Sequence, residues 1–172
     1  YNLSTTKRSL TLDLSITAVS AALVTVSTLI IQIPVPATGG YINVGDAMVF
    51  TSALLFGPII GGVAGGVGSA LADIISYPIF APYTLVIKGL EGFISGYISD
   101  RKSAAKDLLA WIIGSTTMVL GYFVAEAYVM GLGPLSAAIE IPGNIFQVVL
   151  GGVVGIPLSR VLRKHLPSIL TS

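Results

Sequence analysis

Continuous apolar segments separated by short polar loops make up most of this chain. Apolar and polar residues do not alternate along these segments, which disfavours a transmembrane barrel and favours transmembrane helices. Because a transmembrane helix needs about 20 residues, we predict an all-α, polytopic membrane protein with one domain, residues 1–172, and six helical spans. The predicted spans cover about residues 10–33, 46–61, 63–78, 83–99, 108–130 and 143–162.

Two boundaries depend on turn-forming residues within apolar sequence. The block from 46 to 78 is too long for one span and too rich in glycine to be straight, so we divide it between Gly57 and Gly62. A loop that begins at Gly131 and ends near Pro142 is predicted to precede the sixth span.

Basic residues lie on one side of the predicted bundle. Eight of the nine Lys and Arg residues fall at the amino terminus (Lys7 and Arg8), in the loop after the fourth span or at the carboxyl terminus. The loops of the other side, residues 34–45, 77–83 and 131–142, contain neither Lys nor Arg. By the positive-inside rule, we predict that both termini are cytoplasmic.

The composition narrows the function classes. Charged residues make up 10% of the chain and the mean hydropathy is +0.90, whereas soluble domains carry about 25% charged residues. A net charge of +1 argues against nucleic acid as a partner. The chain has no cysteine and its one histidine, His165, lies in a basic tail, so we expect no metal site and no cofactor. It also lacks a Walker motif, so an active pump would need an ATPase supplied by other chains, and we assign no catalytic residue.

Charged and amide side chains within the predicted spans are the candidate functional residues. At mid-membrane an ionised side chain costs about 2.5–3.5 kcal/mol, so these groups should face the protein interior or a wet cavity. With the orientation given above, most of them lie in the outer half of the membrane. This arrangement predicts a binding pocket open to the outside, covered by loops that carry Tyr41, Asn43, Tyr77 and Tyr83. The predicted substrate-binding residues are Asn43, Asp46, Asp73, Tyr83, Lys88, Glu91, Glu126, Asn144 and Gln147.

Each of these residues also has a structural interpretation. Lys88 and Glu91 are three residues apart and could neutralise each other, and Asp73 could bond a neighbouring helix or Lys88. Asp46 follows a turn and could cap the second span, an interpretation that we favour over direct ligand contact. The amides of the sixth span could join helices, and the tyrosines could belong to an interfacial aromatic belt.

Small residues recur at helical spacing. Ala18 and Ala22 form a small-xxx-small pair in the first span, and glycines repeat in the third, fourth and sixth spans. Such faces let helices approach closely in lipid. We expect most of them to serve internal packing and a subset to bind another membrane subunit.

Several motifs give the chain a resemblance to a known family. They are NVGD (43–46), LFGP (55–58), GSALAD (68–73), APYTLVIKGLEG (81–92) and IPGNIFQ (141–147), together with the alanine pair of the first span. The chain resembles the substrate-binding S components of energy-coupling-factor (ECF) vitamin transporters, in the riboflavin-type or hydroxymethylpyrimidine-type subfamily.

The resemblance implies a six-helix, non-enzymatic subunit of a prokaryotic plasma membrane. Such a subunit binds a small water-soluble vitamin near the outer surface, riboflavin first and a thiamine-precursor pyrimidine second. It associates with a transmembrane scaffold subunit, through Ala18 and Ala22, and with two ATPase subunits, and it tilts in the lipid bilayer during transport. For riboflavin, the resemblance implies hydrogen bonds from Lys88, Asn144 and Gln147.

A different class stays open, namely a stand-alone secondary transporter or a small channel. Secondary transporters usually contain two related halves with helix breaks at the midplane, whereas this chain shows no convincing internal repeat and its polar groups lie off-centre. A scaffold subunit without a ligand is disfavoured by the cost of its buried charges.

Overall fold

The computed structural model describes residues 9–166, which form a helical bundle with one short β-hairpin. Six α-helices account for most of these residues, so the predicted all-α class is confirmed at the level of secondary structure. The helices are α1 (Leu10–Ile30), α2 (Asp46–Phe56), α3 (Pro58–Ser76), α4 (Ala81–Ile98), α5 (Ala104–Val124) and α6 (Pro134–His165). A π-helical turn, Ala125–Val129, extends α5.

The hairpin follows α1, where the sequence analysis predicted the end of the first span, to about residue 33, and then a loop. Its strands, β1 (Gln32–Val35) and β2 (Gly40–Asn43), pair antiparallel with Val35 opposite Gly40. Gly39 has a φ of 72°, which a residue with a side chain rarely adopts, and so allows the chain to reverse.

The second and third helices meet at Gly57, which corrects the predicted division between about 61 and 63. Gly57 has a φ of 96°, which ends α2, and Pro58 at the first position of α3 is compatible with a helix start. As a result α2 has only 11 residues, and nine of them are buried. It is a central helix surrounded by its neighbours, which explains why it has no polar face.

The sixth helix starts at Pro134, not near residue 143 as predicted, and the loop before it ends at Gly133. Gly133 adopts a φ of 87° and Pro134 begins the helix, the same glycine–proline signal that separates α2 from α3. Pro142, interpreted from sequence as the end of a loop, lies inside α6. Proline is tolerated inside helices of membrane proteins because neighbouring groups satisfy the freed carbonyl.

Four helical segments are long and apolar enough to cross a membrane: α1, α3, α5 with its π-helical turn, and α6. The short α2 and the charged α4 do not meet both criteria. The count of six spans and the cytoplasmic position of both termini stay predictions. Lys7 and Arg8, on which the orientation partly rests, lie outside the described residues.

Glycines bring α3 and α4 into backbone contact. A Cβ atom added to Gly92 would lie 2.6 Å from the carbonyl carbon of Gly61, and one added to Gly65 would lie 2.7 Å from the carbonyl oxygen of Lys88. On α6, a Cβ added to Gly151 would lie 2.7 Å from the Cβ of Asp46. These glycine faces therefore serve internal packing, whereas Ala18 and Ala22 on α1 are exposed.

We predict that Gly92→Ala destabilises the bundle, because the added methyl group meets the α3 backbone. Overpacking of this kind costs about 1–3 kcal/mol, so the melting temperature of the purified chain in detergent should fall. Gly89→Ala is the matched control on the same helix, since its nearest neighbour would lie 3.7 Å away. Equal melting temperatures for the two variants would contradict the close packing of α3 against α4.

Candidate functional site

A polar cavity lies at the hairpin end of the bundle. Its wall includes the carboxyl-terminal parts of α1, α3 and α5, the amino-terminal halves of α4 and α6, and β2. The cavity volume of about 20 Å³ is room for about one water molecule. The lining residues are Thr28, Gly40, Tyr41, Asn43, Ser69, Asp73, Phe80, Thr84, Lys88, Met118, Tyr122, Glu140, Asn144 and Gln147.

The structure brings part of the predicted site to this wall. Asn43, Asp73, Lys88, Asn144 and Gln147 line the cavity. The remaining predicted residues, Asp46, Tyr83, Glu91 and Glu126, do not line it. Tyr83 packs on the apolar cluster around Ile87 and Met118. Asp46 and Glu91 belong to an ion cluster with Lys88, and Glu126 is fully buried.

The floor of the cavity is an ion cluster centred on Lys88. The Lys88 ammonium pairs with Asp46 and, at 2.9 Å, with Glu91, and all three residues are at most 1% exposed. The amide of Gln147 donates to Asp46 at 3.1 Å and accepts from the backbone N–H of Asn43 at 2.8 Å. The cluster therefore links α2, α4, α6 and the end of the hairpin.

Asp46 does not cap α2, contrary to the interpretation that we favoured from sequence. The cap position belongs to Gly45, which makes no side-chain cap bond, and Asp46 is the first helical residue. A carboxylate in the first turn still matches the helix dipole. The second carboxylate, Glu91, pairs with Lys88 across one helical turn, as the structural interpretation of their spacing predicted.

Asp73 forms a second polar group in the wall, opposite the ion cluster. The Tyr41 hydroxyl donates to Asp73 at 2.5 Å. Burial, followed by the neighbouring Asp73 carboxylate, raises the pKa of Tyr41 above its usual value, so this phenol stays protonated. Tyr41 also stacks on Tyr77, with ring centroids 4.6 Å apart. These two contacts of Tyr41 join the hairpin to the carboxyl-terminal end of α3 beside the cavity.

Two polar side chains in the wall have no partner within the described part of the chain. The hydroxyl of Thr28 is buried without a hydrogen bond, and no hydrogen bond joins the side chain of Asn144 to another described residue. Because buried polar groups are nearly always hydrogen-bonded, these two can bond a solute in the cavity.

Glu140 is a cavity residue that the sequence analysis missed. It accepts a hydrogen bond from the Thr38 hydroxyl. Glu140, Asn144 and Gln147 are spaced four and three residues apart and so share one face of α6. That spacing would have identified Glu140 had the sixth helix been extended back to Pro134.

The opposite end of the bundle is closed by another ion pair. Arg163 donates to Asp107 through both terminal nitrogens, at 2.8 and 3.0 Å, and to the carbonyl oxygen of Leu54 at 2.6 Å. The Ser99 hydroxyl donates to Asp107 at 2.7 Å. These bonds tie α2, α4, α5 and α6 together, and Phe50 and Leu54 are fully buried.

Comparisons with known proteins assign a family. Residues 9–164 match the family described as ECF-type riboflavin transporter, S component. The chain is 49% identical to an uncharacterized protein of Pyrococcus woesei, over 86% of this chain and 99% of that protein. It is 26% identical to the thiamine precursor transporter HmpT of Lactococcus lactis, over 88% of this chain and 87% of that protein.

We predict that Lys88→Met strongly destabilises the fold, because it leaves Asp46 and Glu91 buried without a cation. Breaking a buried ion pair in this way costs about 3–5 kcal/mol, which thermal unfolding in detergent would measure. The triple variant Lys88→Met, Asp46→Asn, Glu91→Gln removes the uncompensated charges and should recover most of the stability. If Lys88→Met alone were as stable as the parent chain, Lys88 would not be a structural ion partner.

Proposed function

The chain belongs to the S-component family of ECF-type riboflavin transporters, and we propose that it is the subunit that binds a small water-soluble vitamin for uptake across the membrane. S components are transporter subunits and not enzymes. We further propose that ATP hydrolysis belongs to two partner ATPase subunits, joined to this chain by a transmembrane scaffold subunit.

The observation that carries this proposal is the polar cavity at the hairpin end of the bundle. Side chains from α1, α3, α4, α5, α6 and the hairpin meet there. The opposite end is held closed by Arg163 and Asp107, over the buried Phe50 and Leu54. A proton or ion channel more commonly distributes polar groups through the full thickness of the membrane, whereas a binding subunit needs a pocket that opens on one side.

The charges of the wall favour a neutral or positively charged ligand. Lys88 already pairs with two carboxylates, so it has little capacity left for an anionic ligand. Asp73 and Glu140 add two more carboxyl groups to the wall. A phosphorylated vitamin is therefore disfavoured, and a ligand that donates hydrogen bonds is favoured.

Riboflavin and hydroxymethylpyrimidine are the two ligands to compare, and the wall favours the pyrimidine. An aminopyrimidine offers amino and hydroxyl donors to Asp73 and Glu140, and acceptors to Asn144 and Thr28. Ligand pockets commonly measure about 300–1,000 Å³, so the cavity of about 20 Å³ has to widen for either molecule. The three-ring flavin with its ribityl chain demands the larger displacement of the hairpin. The similarity to a thiamine precursor transporter also supports the pyrimidine.

The exposed alanine face of α1 is the proposed contact with the scaffold subunit. Ala18 and Ala22 are exposed, whereas the glycine faces of α3, α4 and α6 are used within the bundle. Small side chains allow close approach of a partner helix in lipid.

We predict that the purified chain binds hydroxymethylpyrimidine more tightly than riboflavin, as measured by calorimetric titration in detergent. Asp73→Asn should weaken pyrimidine binding by about tenfold or more, because it removes a hydrogen bond to a charged group worth about 1.5–3 kcal/mol. The variant keeps an acceptor for Tyr41, and thermal unfolding would confirm that it is folded. Tighter binding of riboflavin would reverse the choice of ligand, and no binding of either ligand or of other common vitamins would refute the proposed function.

We also predict that Ala18→Trp and Ala22→Trp abolish co-purification with the scaffold and ATPase subunits while leaving vitamin binding intact. The bulky side chains would hold a partner helix away from α1. Leu90→Trp is the control, since Leu90 is 47% exposed on α4, away from the alanine face. Association that survives both alanine substitutions would place the scaffold contact elsewhere.

A further inference from the structure

Arg163 holds the carboxyl-terminal end of α2, at the end of the bundle opposite the cavity. In a continuing helix the carbonyl oxygen of Leu54 would accept from residue 58, but Pro58 has no N–H group. The guanidinium group of Arg163 donates to this carbonyl oxygen instead, at 2.6 Å. The helix dipole also favours a cation at the carboxyl-terminal end of a helix. Arg163 therefore acts as a cap of α2 that α6 supplies.

The guanidinium group is itself held by a buried carboxylate. Its two terminal nitrogens donate to the oxygens of Asp107 at 2.8 and 3.0 Å, and the Ser99 hydroxyl donates to the same carboxylate at 2.7 Å. The side chain of Asp107 is 0% exposed and that of Arg163 is 11% exposed. Residues of α4 and α5 therefore fix the group that holds the end of α2.

The other end of α2 belongs to the floor of the cavity. Its first residue, Asp46, accepts from Lys88 and, at 3.1 Å, from the amide of Gln147. The same amide accepts from the backbone N–H of Asn43 on the hairpin at 2.8 Å. Asp46 and Leu54 are eight residues apart on one helix, which is about 12 Å along its axis. A shift of α2 along this axis would draw Asp46 away from Lys88 and Gln147.

Close packing blocks displacement of α2 in other directions. Nine of its 11 residues are buried, and glycines bring α3 and α6 against its backbone. A Cβ added to Gly61 would lie 2.6 Å from the Cα of Ala53, and one added to Gly155 would lie 3.0 Å from the carbonyl oxygen of Ala47. Glycines have no side chain that could interlock with α2 along its axis. The axial position of α2 therefore depends on the polar contacts at its two ends.

We propose that Arg163 is a positioning residue for the cavity, on which it acts through α2. With the Leu54 carbonyl held, α2 keeps Asp46 at Lys88 and Gln147, and Gln147 keeps its bond to the hairpin. When Arg163 releases α2, the helix shifts, and the floor of the cavity and the hairpin loosen together. The consequence for ligand affinity rests on the proposed function: vitamin binding should depend on a residue at the opposite end of the bundle.

Hydrogen–deuterium exchange of the ligand-free chain in detergent tests this link. Arg163→Met combined with Asp107→Asn releases Leu54 without leaving a buried carboxylate unpaired, and thermal unfolding would confirm that the double variant is folded. Exchange in residues 40–43 of the hairpin should rise by about tenfold or more, because the lost hold on α2 is a hydrogen bond from a charged group. Exchange at the parent rate would overturn the proposal.

Two further variants separate the hold on α2 from other effects. Asp107→Asn alone weakens the ion pair but leaves the bond from Arg163 to Leu54, so exchange in the hairpin should stay near the parent rate. Ser95→Ala removes a hydrogen bond to the carbonyl oxygen of Ala110, 3.2 Å long, which joins α4 to α5 and not to α2. It should likewise leave the hairpin at the parent rate. A rise in either variant equal to that of the double variant would assign the effect to the ion pair or to a general loss of stability, and would contradict the role of Arg163.

Ligand binding gives a second measurement. If the proposed function holds, the affinity for hydroxymethylpyrimidine in calorimetric titration should fall by about tenfold or more in the double variant and stay at the parent value in Ser95→Ala. A chain that binds no vitamin but shows the change in exchange would refute the proposed function and retain the link through α2. Equal binding of the pyrimidine by the parent chain and the double variant would refute the role of Arg163 in the cavity.

Discussion

The ammonium group of Lys88 between Asp46 and Glu91 is the interaction on which the site depends. Lipid cannot solvate any of these charges, and each of them alone would be costly within the membrane. Paired, they neutralise one another in part, and Gln147 supplies a further hydrogen bond to Asp46. Because the partners come from α2, α4 and α6, the same contacts that make the charges tolerable also fix the floor of the cavity. A buried ion pair is weak evidence for stability, but here it determines which helix faces meet.

That geometry requires small residues where the helices meet, because larger side chains would hold the helix backbones apart. The backbones of α3 and α4 touch through glycines, which places Asp73 on α3 and Lys88 on α4 in the wall of one narrow cavity. On the other side of α2, Gly151 and Gly155 of α6 make room for Asp46 and Phe50. Close packing and the polar site are therefore one arrangement. The glycine faces are used for packing within the bundle, whereas the alanine face of α1 is exposed.

The helical class and much of the cavity wall could be predicted from sequence, because a charged residue in an apolar helix must face the protein interior or a wet cavity. The convergence of Asp73, Lys88, Asn144 and Gln147 followed from the cost of burying polar groups in lipid. What the sequence analysis missed depends on tertiary context. Pro142 was interpreted as a loop because proline usually ends a helix, yet α6 continues through it, and Glu140 was lost with that turn. The role of Asp46 likewise required knowing that α2 and α4 are neighbours, which no local pattern encodes. The four-residue strands of the hairpin are too short for an alternating pattern to reveal them.

The two ends of the bundle differ in what would have to break for a ligand to pass. Towards the far end, a ligand would have to separate the Lys88 cluster and then the Arg163–Asp107 pair, and each rupture of a buried ion pair costs about 3–5 kcal/mol. Towards the hairpin, it meets one two-stranded element held by a few side-chain bonds, those of Tyr41 and Thr38 among them. A ligand therefore enters and leaves more easily by the hairpin mouth than through the bundle.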